Sequence, residues 1–396
     1  MDLELTQEQE MVREMVRKFC EAEIQPGVRD YDRREEFPQA LFQKMAGLGL
    51  LGAPIPKEYG GAELDAISFA IVMEEIGRVC SALRSALSVQ TALVELSILR
   101  WGNKEQMRRY LPALCRGELI GCFGLTEPNA GSDTAAQQTT AILDGSHWVI
   151  NGTKVFITNG TIAHLALIFA QTDWSASPSK ADASAGGTAR KGIAAFLVEK
   201  GTNGFGARAI KGKLGLRASD VAELNFTDCR IAKEALLGQV GEGLHVAMSA
   251  LDHGRYSVAA GCVGILEACL EASVQYAKGR RQFGKPIGGF QLVQDMIARM
   301  SVDLEAARLL VYRVGQIRQK GREATLETSQ AKYFASEAAV RAAADAVQIH
   351  GAYGYVDESP VERHYRDAKA TTIYEGTSQI QKLIIGSHLL GMKAFV

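Results

Sequence analysis

No two of the seven cysteines, at positions 20, 80, 115, 122, 229, 262 and 269, form a C-x-x-C pair. That argues against a zinc ribbon and against a dithiol redox centre, and no other metal-ligand spacing stands out. The cysteines read as buried thiols. A surplus of either charge is also missing: 44 basic residues face 45 acidic ones, for a net charge of -1 and a pI near 6.7. Electrostatics therefore make no case for nucleic acid or an anionic membrane as partner. The opening MDLELTQEQE lacks the charged-then-apolar order of a secretory signal, and no later apolar run reads as long enough to span a bilayer. These absences point to a soluble, cytoplasmic protein whose partners are small molecules or other proteins.

The chain has 396 residues, 47% of them hydrophobic, enough for a large interior divided over two or three domains. Thr6 and Gln9 have capping-box spacing, and Met11, Val12, Met15, Val16 and Phe19 follow at helical intervals. Helical patterning continues to about residue 119, interrupted by Pro54, Pro56 and Gly60-Gly61. From 120 to 240 the period changes to short runs rich in branched and aromatic residues, such as HWVI, TKVFIT, HLALIFA and VAELNF. Asn151-Gly152, between HWVI and TKVF, carries the strongest short-range hairpin signal. Residues 175 to 190, small, polar and glycine-bearing, read as an exposed loop. From 241 to 396 long Ala, Leu and Val stripes return, as expected for a bundle whose small residues permit close helix contact. The expected architecture is α+β: an N-terminal helical domain (1–119), a middle β domain (120–240) and a C-terminal helical bundle (241–396).

The stretch TTIYEGTSQIQ, residues 371 to 381, sets the carboxylate of Glu375 beside Gly376 at a turn that opens a helix. Gly376 lets a flat reactant approach the backbone, and Thr377 and Ser378 offer N-cap oxygens. Glu375 is the candidate base, although acidic residues are also common at helix starts for electrostatic reasons. FGLTEPNAGSD (123–133) offers exposed backbone donors and the hydroxyl of Thr126. KVFITN (154–159) places Phe156 and Thr158 two positions apart on one side of a strand. RRQFGKP (280–286) and QIHGAYGY (348–355) are glycine-bearing turns beside helices.

In this order the five motifs resemble the acyl-CoA dehydrogenase family of flavoproteins, over essentially the whole chain. The resemblance implies a three-domain fold, a homotetramer, FAD, an acyl-CoA substrate and electron transfer flavoprotein as acceptor. It assigns Leu125, Thr126, Ser132, Phe156 and Thr158 to the flavin, with Phe156 standing where many relatives have tryptophan. Arg280, Phe283 and Gln291 resemble contacts to the FAD of an adjoining subunit, and Gln348, Gly351 and Ala352 its pyrophosphate and adenosine grip, with Ala352 in place of a more usual glycine. Thr377 and Gln379 would complete the FAD site. Asp252 and Arg255 resemble residues that hold the CoA part, Ser132 serves as a second contact to it, and Gly376 flanks the acyl group. Some relatives carry the base one residue before that arginine, where this chain has Gly254. The implied chemistry is removal of the α-proton by Glu375 while the β-hydrogen leaves as hydride to flavin N5, the Glu375 backbone N–H helping to polarise the thioester carbonyl.

The acyl group is read from Arg84, Ser85 and Ser88 in RSALSVQ, with Tyr374 before the base; these resemble the glutaryl-CoA dehydrogenase branch, where the arginine and serine bind a distal carboxylate. A buried arginine needs a counter-charge, so a dicarboxylic acyl-CoA is expected. Gly77 stands where decarboxylating relatives have glutamate. It is read as leaving space, which admits a substituted succinyl-CoA such as benzylsuccinyl-CoA beside glutaryl-CoA. A generic short-chain acyl-CoA dehydrogenase of the butyryl-CoA type and a non-catalytic acyl-CoA-binding flavoprotein remain as alternatives.

Overall fold

A computed structural model describes residues 4–173 and 191–394; the expected 175–190 loop lies outside them. Helix α1 (Gln7–Phe19) begins at the expected capping box: the Thr6 hydroxyl accepts from the Gln9 N–H at 3.3 Å, and the Gln9 side-chain oxygen accepts from the Thr6 N–H at 3.0 Å. After α2 (Val28–Arg34) and α3 (Gln39–Gly47), α4 (Ala66–Val79) starts where the Asp65 carboxylate accepts from the Ile67 and Ser68 N–H groups, each at 2.8 Å. Helix α5 (Ser81–Ser88) passes through a π-helical stretch, Val89–Glu95, into α6 (Leu96–Trp101), and α7 (Lys104–Cys115) closes this part.

The strands β1 (Gly121–Gly124), β2 (Thr140–Asp144), β3 (His147–Thr158), β4 (Leu165–Asp173), β5 (Lys191–Glu199), β6 (Phe205–Ala209), β7 (Val221–Ala232) and β8 (Leu236–Leu237) form one sheet. Its order is β6-β7-β3-β2-β4-β5-β8, with β1 parallel beside β4. Period-two alternation gives the sheet two apolar faces. Phe123, Leu125, Leu167, Phe169 and Leu197 meet Val89, Leu93, Val246 and Ala250 of the helices, whereas Cys122, Ile168, Phe196 and Val198 pack with Trp148, Ile150 and Phe226.

Asn151-Gly152 is not a turn. Strand β3 runs through it, and the reversal into β3 comes at Gly145-Ser146, between partners Asp144 and His147. Gly152 (φ 149°) lies at a bulge against β7, and a Cβ there would fall 2.4 Å from the Thr139 hydroxyl. The glycine serves close backbone approach and not chain reversal.

The last part contains α8 (Gly243–Gly279), a short ribbon of β9 (Arg281–Gln282) and β10 (Lys285–Pro286), α9 (Gln291–Gln319), α10 (Thr325–His350), α11 (Pro360–Thr371) and α12 (Ser378–Leu390). Its core is continuous with that of the N-terminal helices: Val16, Phe42, Met73 and Leu83 share one cluster with Val263, Leu304, Ala339 and Ala368. Helices α4 and α8 touch backbone to backbone. A Cβ on Gly77 would lie 2.8 Å from the Gly261 carbonyl oxygen, and one on Gly264 2.0 Å from that of Glu74. Beside this crossing Arg17 and Arg308 bind buried Glu75 and Glu74, and both reach Glu267 at 2.6 Å. Contrary to the sequence reading, two helical stretches, Ser81–Trp101 and Gly243–Gly279, are long and apolar enough to span a bilayer; most of each is packed inside the fold.

Candidate active site

Between α11 and α12 the chain makes a tight turn in which Glu375 (φ 53°) and Gly376 (φ 85°) both adopt left-handed backbone. That region is strained for a residue with a side chain and persists only where the surroundings hold it. Here the Glu375 carbonyl accepts from Arg255 Nε (3.3 Å) and Gln381 Nε2 (3.2 Å), and the Gly376 carbonyl from Lys332 Nζ (2.7 Å) and Gln381 Nε2 (3.1 Å). Thr377 is the N-cap of α12, its hydroxyl accepting from the Ile380 N–H at 3.3 Å.

The Glu375 carboxylate projects towards α8 into the space that Gly254 leaves: a Cβ on Gly254 would lie 1.8 Å from Oε2. Oε2 is buried and has no hydrogen-bond partner. Burial pushes the carboxyl pKa up to about 7, against the opposing pull of Arg84, Arg255 and Lys332. A carboxyl so balanced exchanges a proton readily at neutral pH.

Glu375 is at the wall of a cavity of about 380 Å³ that also takes in Ser85, Leu125, Thr126, Phe156, Thr158 and Tyr374. Leu125 and Thr126 are delivered by the end of β1. Phe156 (φ 60°) belongs to a second register shift of β3 and leaves 68% of its surface open. A fully buried lysine, Lys154, ties these two segments together, donating to the Leu125 carbonyl (3.2 Å), Gln137 Oε1 (3.0 Å) and Glu127 Oε1 (2.7 Å). Lys213, Arg366 and Lys369 add positive charge to the lining.

The remaining candidates divide between other places. Arg280 lies over the Tyr353 ring at 5.5 Å and lines a second cavity with His350 and Tyr276. Phe283, Gln291, Gln348, Gly351, Ala352 and Gln379 are exposed outside the Glu375 cavity, as is Ser132. Asp252 is engaged by Arg318 at 2.9 Å, and Arg255 is buried against the Glu375 carbonyl. The Ser88 hydroxyl shares a hydrogen bond with Ser257 at 2.5 Å. Arg84 is 2% exposed and donates to the Tyr374 hydroxyl at 2.5 Å, its guanidinium over that ring; the cavity does not include it. Lys332, Gln381 and Lys154 were not among the sequence candidates.

Family models described as the N-terminal, middle and C-terminal domains of acyl-CoA dehydrogenase match residues 6–118, 122–229 and 241–390. The chain is 45% identical to a short-chain specific acyl-CoA dehydrogenase of Clostridium acetobutylicum, over 98% of this chain and all of that protein. Among solved structures, butyryl-CoA dehydrogenase from Megasphaera elsdenii superimposes with a TM-score of 0.92 at 38% identity, covering 98% of this chain and 100% of the other. A glutaryl-CoA dehydrogenase from Mycobacterium smegmatis in complex with FADH2 does so at 0.92 and 35% identity, covering 99% and 97%. The likeness to short-chain enzymes overturns the expected dicarboxylic acyl-CoA. Two features of the site bear on its grounds: Arg84 donates to the Tyr374 hydroxyl and acts on the charge of the Glu375 carboxylate, and the space imagined at Gly77 is filled by the α8 backbone.

Proposed function

Since the chain belongs to the acyl-CoA dehydrogenase family, we propose that it removes the α- and β-hydrogens of a short-chain saturated acyl-CoA thioester, with Glu375 as base and FAD as cofactor. The observation that carries this reading is the buried, unpartnered Oε2 of Glu375 at the wall of a cavity, on a carboxyl whose pKa is about 7. An oxygen so placed is free to accept a proton from bound substrate, and a positioned general base contributes about 10²- to 10⁴-fold.

The lining suits a flavin. Phe156 offers an open aromatic face, and Thr126 and Thr158 offer hydroxyls beside it. Leu125, Thr126, Phe156 and Thr158 would hold the ring, and bound FAD would supply a two-electron acceptor for the β-hydrogen. Glu375 takes the α-proton. Its backbone N–H makes no hydrogen bond within the described chain and is free for the thioester carbonyl. Val89, Leu93 and Leu251 exclude water from the acyl end. Arg84, held by Tyr374, acts on the charge of Glu375 and not as a substrate anchor.

Two partners belong to the proposal. Phe283, Leu292 and Tyr355 are 93%, 80% and 84% exposed near the second cavity's elements, in keeping with a homotetramer in which Arg280, Phe283, Gln291, Gln348, Gly351 and Ala352 meet the FAD of a neighbouring subunit. Electron transfer flavoprotein would then collect the electrons. Light scattering should return about four times the 42.8 kDa chain mass.

The deciding experiment is anaerobic addition of butyryl-CoA to the purified yellow protein, with products identified by mass. The flavin should bleach and a 2-enoyl-CoA two mass units lighter should form. Glu375→Gln should remove bleaching; retention of the parent rate would end the assignment of the base. Bleaching by glutaryl-CoA in preference to butyryl-CoA would overturn the short-chain reading.

A further inference from the structure

Three buried cations surround the Glu375 carboxylate, and two of them are engaged elsewhere. Arg84 donates to Tyr374, and Arg255 to the Glu375 carbonyl. Lys332, on α10, is fully buried, and among the described residues its ammonium donates to a backbone carbonyl and to no carboxylate. An ammonium without a carboxylate partner is costly to bury, and such groups persist where they serve a site. Its hydrogen bond runs 2.7 Å to the Gly376 carbonyl, the shortest of the four that hold the turn. Those four draw two successive carbonyls inward, towards α8, α10 and α12. The strained backbone of Glu375 and Gly376 depends on them.

We propose that Lys332 is a positioning residue for the base: its ammonium holds the Glu375–Gly376 turn in its left-handed form and sets a buried positive charge behind the carboxylate. The inference rests on the reading of Glu375 as the base. Around the carboxylate stand Arg84 from α5, Arg255 from α8 and Lys332 from α10, with Tyr374 beside it; around the ammonium stand Cys262 and Arg255 from α8, Glu337 from its own helix, and Glu375. Burial pulls the Lys332 pKa down to about 8, above the value of about 7 for Glu375, so it is mostly charged where Glu375 is half-ionised. Without that charge the burial of Glu375 is less opposed, and its proton is held to higher pH.

The test uses the flavin-loaded parent and the variants Lys332→Met, Lys332→Gln and Glu375→Gln, with anaerobic flavin reduction by butyryl-CoA followed against pH. Lys332→Met should keep its flavin and its affinity for butyryl-CoA. It should reduce flavin up to about 10²-fold more slowly, the size of loss expected from a misplaced reacting group, and its rising pH limb should move to higher pH. Lys332→Gln keeps a donor without the charge, so it should recover rate while the limb stays displaced. Flavin-loaded Lys332→Met with the parent's rate and pH profile overturns the proposal. If Lys332→Met yields no flavin-loaded protein, Lys332→Gln decides by its pH limb; if neither assembles, the lysine is a folding element and the proposal is overturned. Parent-like bleaching by Glu375→Gln would sink the base itself, whereas its loss of bleaching beside an unchanged Lys332→Met sinks the positioning role alone.

Discussion

At the scale of single residues the site depends on an absent side chain. Gly254→Ala places a methyl carbon where Glu375 Oε2 now lies, 1.8 Å from it, so the carboxylate must swing out of its pocket. Flavin reduction should fall by about 10²-fold while thermal stability changes little, as read by stopped flow beside thermal unfolding; an unchanged rate would mean that the carboxylate works from another place. The protonation of Glu375 sets a second expectation. A base acts when ionised, so kcat/KM for butyryl-CoA should rise with pH and level off above about 7, and a rate flat from pH 5.5 to 8.5, a span of about three units around that value, would contradict it. The Glu375–Gly376 turn was legible because its carboxylate and its glycine are adjacent in sequence. Lys332 and Gln381 were not, because they act on backbone carbonyls, which carry no residue-specific signal. Arg84 was misjudged for a related reason: the sequence shows that it is flanked by apolar residues but not that it hydrogen-bonds Tyr374, 290 positions away, within the field of the Glu375 carboxylate.

Among elements, β3 does more than its pattern announces. Lys154 fastens it to the segment after β1, and Glu127 in turn accepts from the backbone N–H groups of Gln138 and Thr139. Lys154→Met strands the Glu127 carboxylate at 5% exposure and should cost about 3–5 kcal/mol, as removal of one partner from a buried pair does. Adding Glu127→Gln should restore part of that loss. Urea unfolding of the single and double variants measures both, and a double variant no more stable than the single would show that the ion pair is not the cause. The strand runs themselves were readable from alternation and branched residues. The Asn151-Gly152 hairpin was misread because glycine answers two needs, positive φ in a turn and close approach at a bulge, and only the Thr139 neighbour distinguishes them.

Across the whole molecule the helical order α, β, α was plain from the change of period, but the union of the two helical parts was not, since periodicity reports that a face is apolar and not what covers it. The ion network at that union is testable. Arg308→Leu leaves Glu74 facing Glu267 at 1% exposure, where burial already pushes the Glu74 pKa up to about 6. A carboxyl with a raised folded pKa contributes stability below its unfolded value and loses it as pH rises through the folded one. The variant should therefore trail the parent by about 3–5 kcal/mol at pH 8 and by clearly less at pH 5, read by denaturant unfolding at both; an equal deficit would exclude Glu74 as its source. The single core joining Val16 to Ala368 has a consequence for synthesis. A ribosome must release most of the chain before the first helices find their cover, so a half-translated molecule waits with Phe42, Met73 and Leu83 open to water, and chaperones have more to guard in the nascent protein than in the finished one.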